Sequence, residues 1–593
     1  MRALSAVNKY FLKYKYHLLL GVVFVVIANI FGTLPAQIVR FAIDLVTDIS
    51  HIHRQFQGTN LQSSVYERYI TYIVIFGLLI VAMAFLRGIF MFFMRQTIIV
   101  MSRLIEYDQK NEIYNHYQVL PMSFYRKNNT GDLMARISED VSKVRMYYGP
   151  AVMYGINLVT TFVLVIALML SINVSLTLWV LLPLPFLSIL IYVVNNMIEQ
   201  RSLNLQQSLS ALSTYVQEAF AGIRVIKSFA REQDAETNLS QNSTHYYYKS
   251  MALAKVSAFF GPVMMVCVGT SILIVIFIGG MRVIEGSVSP GNIAEFIMYV
   301  TMLTWPFTAL GWVSSIVQRA QASQSRINEF LNINTDIISA KDIKTDIAGK
   351  IVFDNVSLHY PESDTTALKN INFELNSGEA LAILGTTGSG KSTIANLLCR
   401  MMDTTSGNIF IDNINIKDYN LHHFRNQVGY VPQDIFLFSD TIKNNIGFGA
   451  LQISDDKIMQ AAKDADFYDN IMDFADKFDT KIGERGITLS GGQKQRLSIA
   501  RALARDPKIL ILDDCLSAVD THTENTILNN LARIMQNRST IIISHRVSSA
   551  KLADYILFID NGKIVEHGTH DKLMAMQSRY KELYDKQMQT EAV

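Results

Sequence analysis

Hydrophobic and polar positions are unevenly distributed along this chain. Before residue 316 the apolar residues collect into six runs, at roughly 17–39, 69–94, 149–171, 174–195, 258–281 and 292–316. Each is close to the ~20 mostly apolar residues that a helix needs to cross a bilayer. The first run does not read as a cleaved leader, because it lacks a small-residue cleavage site and further runs follow it. Residues 95–120 keep helical spacing without Pro or Gly. As one helix they would carry the second span ~39 Å beyond the membrane, at about 1.5 Å per residue. Residues 196–250 read the same way. From about residue 345 the texture changes to short apolar runs separated by Gly, Asn and Asp: GKIVFDNVSLHY, LAILG, IFIDN, QVGYVP, KILILDD, STIIISH and YILFIDNGKIVEHG. Runs of four or five apolar residues followed by helical segments predict a mostly parallel sheet in an α/β domain.

Charge orients the spans and says little else. Of the 593 residues 18% are charged, and the net charge of +2 points to no partner. Lys9, Lys13 and Lys15 precede the first run, and eight basic residues, Arg95 to Arg145, lie between the second and third. Six more, Arg201 to Lys255, lie between the fourth and fifth. The alternate loops hold only Arg54 and Arg68, then none, then Arg282. Positive residues stay inside, so both termini are expected in the cytoplasm. Cys267, Cys399 and Cys515 form no CxxC pair, which argues against a metal site or a disulfide framework.

LAILG leads into Gly385, Thr386, Thr387, Gly388, Ser389, Gly390, Lys391 and Ser392, which match G-x-x-x-x-G-K-[ST]. Glycines let backbone N–H groups curl around phosphate oxygens, and the helix that follows, starting near Thr393, adds its positive end. Lys391 is placed to reach the β- and γ-phosphates and Ser392 to hold Mg²⁺. In ILILDD, Asp513 ends a buried strand and suits a water-mediated Mg²⁺ ligand. Ser490, Gly491, Gly492 and Gln493 open a second helix start able to grip phosphate. One nucleotide cannot easily satisfy two grips so far apart in sequence. The expected architecture is therefore multidomain. An all-α polytopic membrane domain covers 1–320, a linker 321–344, and an α/β P-loop nucleotide-hydrolase domain 345–593.

GTTGSGKS, LSGGQ, ILILDD and IIISH together resemble an ATP-binding-cassette domain. Fused behind six spans, they resemble a half-transporter of the ABC exporter class, and the likeness covers nearly the whole chain. TGDLMARISEDVSKVR (130–145) and EAFAGIRVIKSF (218–229) are similar to that class's cytoplasmic coupling segments, expected near 124–135 and 210–222. The resemblance implies a head-to-tail pair of cassettes, with each ATP between the P-loop of one and the LSGGQ of the other. It also implies that Tyr360 stacks on adenine, that Gln433 senses Mg²⁺ and the γ-phosphate, and that His545 contacts the γ-phosphate. Gly483 to Gly486 would touch the partner's coupling helices, and Asp520 would lie in a loop crossing the dimer interface.

Asp514 departs from that pattern, where Glu is usual for the residue that activates water. Asp lacks one methylene, so its carboxylate sits ~1.5 Å, about one C–C bond, further from the attacking water. A misplacement of about 1 Å can cost on the order of 10²-fold in rate. A slow site is expected, and a heterodimer is favoured over a homodimer with two slow sites. The resemblance implies outward movement of a hydrophobic or amphipathic cargo, drug-like or lipid, by alternating access across the cytoplasmic membrane. An ATP-gated channel is the alternative. A soluble cassette ATPase acting on nucleic acid or ribosomes is disfavoured by the six spans, and no nucleic-acid partner is expected. Arg87 lies inside the second run, where snorkelling or a structural pair is the first reading and an anionic substrate group the second. Arg40 and Asp44, spaced i,i+4, read as a local ion pair.

Overall fold

A computed structural model describes residues 3–55, 61–360, 364–450, 453–483, 486–515, 521–536 and 538–591. By their contacts the residues form two compact units. One comprises Met1–Gln118 and Asn129–Ile333, the other Val119–Asn128 and Asn334–Val593.

The first unit is helical. Five of its described helical stretches are long and apolar enough to cross a membrane: Lys15–Ser50, Tyr66–Val119, Thr130–Ile172, Glu232–Ile284 and Pro290–Leu331. The second belongs to a helix that runs unbroken over 59 residues, Leu61–Val119. This is what the absence of Pro and Gly between 95 and 120 predicts. The run expected at 174–195 divides at Leu182 between helices Val174–Leu181 and Pro183–Ala221, with Pro183 in the first turn of the second. Proline is tolerated there because the first helical N–H groups have no intrahelical acceptor in any case. The side chains of 184–188 and 192 in this run lie outside the described residues.

One expectation is corrected in this unit. Arg40 and Asp44 do not pair with each other. Arg40 Nη1 lies 3.3 Å from Glu295 Oε2, whose side chain is 1% exposed, and Tyr299 Oη donates to Glu295 Oε1 at 2.8 Å. Asp44 accepts from the Gly291 N–H and from Ser289 Oγ, both at 2.7 Å. It therefore sits at the N-terminus of helix Pro290–Leu331, where the helix dipole favours an anion. A buried carboxylate gains more from a cross-helix partner than an exposed i,i+4 pair does. Short helices interrupt the long ones at Met122–Lys127, overlapping the expected 124–135, and at Ile223–Ser228, directly after 210–222. Pro121 and Gly222 set these boundaries, since the residue before proline avoids the α region and glycine ends helices readily.

Among its described residues the second unit holds ten strands: β1 Ile351–Tyr360, β2 Thr365–Leu375, β3 Ala380–Gly385, β4 Ser406–Ile411, β5 Ile414–Asn415, β6 Val428–Val431, β7 Ile509–Asp513, β8 Ser539–Ile543, β9 Tyr555–Asp560 and β10 Lys563–Gly568. They make two sheets. A six-stranded sheet has the order β10-β9-β3-β8-β7-β6, parallel except for the β9–β10 hairpin. A four-stranded antiparallel sheet has the order β2-β1-β4-β5. GKIVFDNVSLHY and IFIDN thus belong to the antiparallel sheet, which stands beside the mostly parallel sheet expected. Every residue of β3, β7 and β8 is buried, as both-face coverage demands.

Candidate functional site

The order β3-β8-β7 brings three motifs to one edge. Ile383 of β3 pairs with Ile543 of β8, and Ile543 also pairs with Asp513 of β7. The residues that follow these strands, the P-loop, His545 and Asp514, therefore emerge side by side at the carboxyl ends, where open α/β sheets bind ligands. Gly385 has φ +151°, and a Cβ there would lie 1.9 Å from the Ile559 carbonyl oxygen, so only glycine fits. Helix Lys391–Leu398 follows directly, with the left-handed Gly390 at its N-cap.

A cavity of about 470 Å³ opens there. Tyr360, Thr387, Gly388, Ser389, Gly390, Lys391, Ser392, Thr393, Gln433, Asp513, Asp514 and His545 line it. Lys391 Nζ donates to the carbonyls of Gly385 at 2.9 Å and Thr386 at 2.8 Å. Burial lowers the pKa of this ammonium, against the opposing pull of Asp514 and Asp513. Ser392 Oγ donates to Asp513 Oδ1 at 3.1 Å. Burial, helped by the neighbouring Asp514, pushes the Asp513 carboxyl up despite Ser392 and Lys391. Hard oxygens on a carboxylate whose charge is poorly solvated suit a divalent cation, which would relieve that cost. Ser389 Oγ is buried with no hydrogen-bond partner among the described residues, a polar atom that a phosphate in the loop would satisfy. The cradle therefore fits a magnesium nucleotide.

Asp514 takes a left-handed conformation, φ +47°, and its N–H bonds the Ile543 carbonyl at 2.8 Å. Short polar side chains tolerate that region better than most. Burial and the charge of Lys391 lower the His545 pKa below its ordinary value, with Asp514 opposing. The imidazole is therefore neutral near pH 7. Tyr360 Oη lies 3.3 Å from Thr393 Oγ1, which ties the aromatic ring to the P-loop helix. Cys399 and Cys515 are free buried thiols pushed up to about 12 by burial, which keeps them protonated and inert.

Ser490, Gly491, Gly492 and Gln493 do not line this cavity. They start helix Gly491–Leu503 with a capping box, in which Ser490 Oγ accepts from the Gln493 N–H and Gln493 Oε1 from the Ser490 N–H. Asp520 lies outside the described residues, as do Glu484 and Arg485 between Gly483 and Gly486.

Three groups near the cavity went unread in the sequence. Thr365, Thr366, Ala367 and Lys369 of β2 and the Asn561–Gly562 turn supply one wall; the only signal was the Asn-Gly pair, which favours tight hairpins. The Arg126 guanidinium lies 5.2 Å from the Tyr360 ring centroid, although as sequence it counted only as loop charge. Gln587, in the last helix, donates to the His545 carbonyl at 2.6 Å and accepts from the Val547 N–H at 2.8 Å. It pins the loop that carries His545, and nothing in the sequence marks it. Gln587→Leu is expected to lower ATP turnover at saturating nucleotide about tenfold with KM within about twofold, since loosening moves a group by fractions of an ångström. Steady-state kinetics checks this, and an unaltered kcat would leave Gln587 merely structural.

Comparisons with known proteins agree with this geometry. Residues 18–307 match the family model described as the ABC transporter transmembrane region, and 368–517 match that of the ABC transporter. An uncharacterized ABC transporter ATP-binding protein of Bacillus subtilis, YknU, is 38% identical over 81% of this chain and 83% of its own. The multidrug resistance-like ATP-binding protein MdlA of Buchnera aphidicola is 33% identical over 100% of this chain and 99% of its own. Among solved structures, a bacterial Atm1-family ABC exporter with ATP bound shares the fold, with TM-score 0.77 and 24% identity over 96% of this chain and 99% of that one.

Proposed function

The chain belongs to the ABC transporter family, as an exporter in which membrane region and ATPase are fused, and from that membership we propose that it moves a hydrophobic or amphipathic cargo as one half of a dimer. It hydrolyses ATP and couples that reaction to export. The names of the relatives, multidrug resistance and multidrug export, favour a drug-like molecule, with a lipid as the related option. The ATPase unit is cytoplasmic in this reading, as are both termini, and the bilayer is the cytoplasmic membrane.

One observation carries the dimer. The P-loop, Asp513 and His545 share a cavity while the helix start at Ser490 lies outside it, so each phosphate grip of this chain is half of a site. Helix Ile223–Ser228 supports it. That helix buries no residue, and Phe220, Val225 and Phe229 around it are 72%, 60% and 73% exposed, an apolar surface that a second subunit would cover.

Each residue then has a role. Tyr360 stacks on adenine. Residues 385–393 wrap the phosphates, with Lys391 at the β- and γ-oxygens. Ser392, Gln433 and, through water, Asp513 would hold Mg²⁺, which supplies positive charge at the phosphates. Asp514 accepts the proton of the attacking water, and neutral His545 donates a hydrogen bond to the γ-phosphate. Ser490 to Gln493 and Asp520 serve the partner's nucleotide. Closing the cassettes on ATP draws the short helices 122–127 and 223–228 together and turns the bundle outward. Proteoliposomes test the cargo class: hydrophobic cations and lipids are compared for stimulation of magnesium-dependent ATP hydrolysis and for ATP-driven accumulation. Accumulation of a hydrophobic probe is expected, whereas a current in single-channel recordings with no accumulation would overturn export.

A further inference from the structure

The P-loop and the loop that carries His545 both reach, through side chains, to the same helix at the end of the chain. β9 runs parallel to β3, with Ile559 opposite Gly385. Asp560, the last residue of β9, therefore emerges beside Thr386, which follows β3. Thr386 Oγ1 donates to Asp560 Oδ1 at 3.1 Å. The other carboxylate oxygen, Oδ2, accepts from Asn561 Nδ2 at 3.2 Å and from Arg579 Nη1. Thr386 also faces inward, since its carbonyl accepts from Lys391 Nζ at 2.8 Å. Arg579 thus reaches the phosphate cradle through Asp560 and Thr386.

Arg579 opens the last helix, Arg579–Glu591. Eight residues on, about 12 Å at a rise of about 1.5 Å per residue, Gln587 holds the other loop through the His545 carbonyl and the Val547 N–H. The helix between these ends is itself fixed. The Arg579 and Tyr580 N–H groups donate to the two carboxylate oxygens of Glu566 at 2.9 and 3.1 Å, an anion where the helix dipole favours one. Tyr580 is fully buried in a cluster with Ala382 and Leu384 of β3 and Ile556 and Phe558 of β9, and Leu583 and Tyr584 pack on the same cluster. That burial is enough to dock the helix. The Arg579 side chain is 53% exposed, and such a pair stabilises a fold little. What the pair does control is the orientation of Asp560 and, through it, of Thr386.

We propose that helix Arg579–Glu591 is a brace that fixes the P-loop relative to the His545 loop, with Asp560 and Arg579 as positioning residues for ATP hydrolysis at one end and Gln587 at the other. None of the three borders the nucleotide cavity, so each acts through another residue. The reading rests on the P-loop and His545 gripping one nucleotide, and it names what keeps the two in register. Its signature is non-additivity. Substitutions more than about 7–10 Å apart without a shared partner normally add, whereas residues that act as a unit do not.

A double-mutant cycle on magnesium-dependent ATP hydrolysis by the full chain in phosphatidylcholine nanodiscs tests it. Arg579→Met, which keeps the bulk and removes the charge, is expected to lower kcat about fivefold with KM within about twofold, as a shift of a fraction of an ångström does. Arg579→Lys, which keeps the charge, is expected to stay within about twofold of the native chain. With Gln587→Leu lowering kcat about tenfold alone, the double variant is expected to stay near tenfold and not to reach the product of about fiftyfold. Thermal midpoints close to the native value are expected for both arginine variants, because a half-exposed pair adds little stability. A native kcat in Arg579→Met, a loss in Arg579→Lys equal to that in Arg579→Met, or multiplying losses in the double variant each overturns the brace. His545→Ala serves as the reference for the site itself. An unchanged kcat there would sink the assignment of His545 to the nucleotide, whereas a reduced kcat there with multiplying losses in the cycle would sink the brace alone.

Discussion

Lys391→Ala is expected to weaken ATP binding by on the order of 10²-fold and to stop ATP-driven transport with it. The side chain is 6% exposed, and its Nζ is held by two neutral carbonyls, Gly385 and Thr386. Burial already lowers its pKa, so the ammonium is poorly solvated where it sits. A nucleotide offers anionic oxygens in place of those carbonyls, and charge-assisted hydrogen bonds are roughly twice as strong as neutral ones. Removing a hydrogen bond to a charged group costs about 1.5–3 kcal/mol, or roughly 10- to 150-fold in affinity at 1.4 kcal/mol per tenfold. The missing charge also leaves Asp513 and Asp514 facing the phosphates without a counter-ion, so the larger figure is expected. Binding of a fluorescent ATP analogue and ATP-driven accumulation of a hydrophobic dye would both be measured. Wild-type nucleotide affinity in the variant would remove Lys391 from the phosphate site.

How much of this could be read beforehand depended on whether a residue's partner was local. Beyond residue 95, helix Leu61–Val119 was legible to its end because 3.6-residue spacing without Pro or Gly is a local property. The P-loop, ILILDD and IIISH were legible because continuous apolar runs announce strands buried on both faces. The separate antiparallel sheet was missed, yet its signal was present: β1 buries alternate residues only in part, the pattern of a sheet covered on one face. Arg40 and Asp44 were misread because spacing says which residues share a helix face and not which helix receives it. Glu295 is 255 residues from Arg40, and no periodicity connects them. Gln587 likewise reaches His545 from 42 residues away. The left-handed backbone at Asp514 was hidden too, since it follows from the Ile543 hydrogen bond across the sheet and not from the run ILILDD.

Asp514→Glu is expected to speed ATP hydrolysis, and by much more than it perturbs the fold. Two effects compete. The backbone at 514 has φ +47°, and a longer side chain in the left-handed region adds strain that is bounded by the roughly 1–2 kcal/mol an ordinary residue pays there. Against that, one more methylene carries the carboxylate ~1.5 Å further into the cavity, and correct placement of a reacting group is worth on the order of 10²-fold in rate, about 2.7 kcal/mol. The strain acts on stability and is spread over a sheet edge anchored by buried β7 and β8. The reach acts directly on the attacking water, and so it dominates turnover. Rates at saturating magnesium–ATP would be compared for the chain alone, before and after the substitution. A slow native chain that gains about 10²-fold on Asp514→Glu fits a subunit built to bind ATP at its own P-loop and to lend Ser490–Gln493 to a partner whose site carries a glutamate. Brisk turnover by the unmodified chain without any second subunit would refute the heterodimer. An unchanged rate after the substitution would instead place the limit at cassette closure or phosphate release. In that case the short arm of Asp514 would not be what sets the pace.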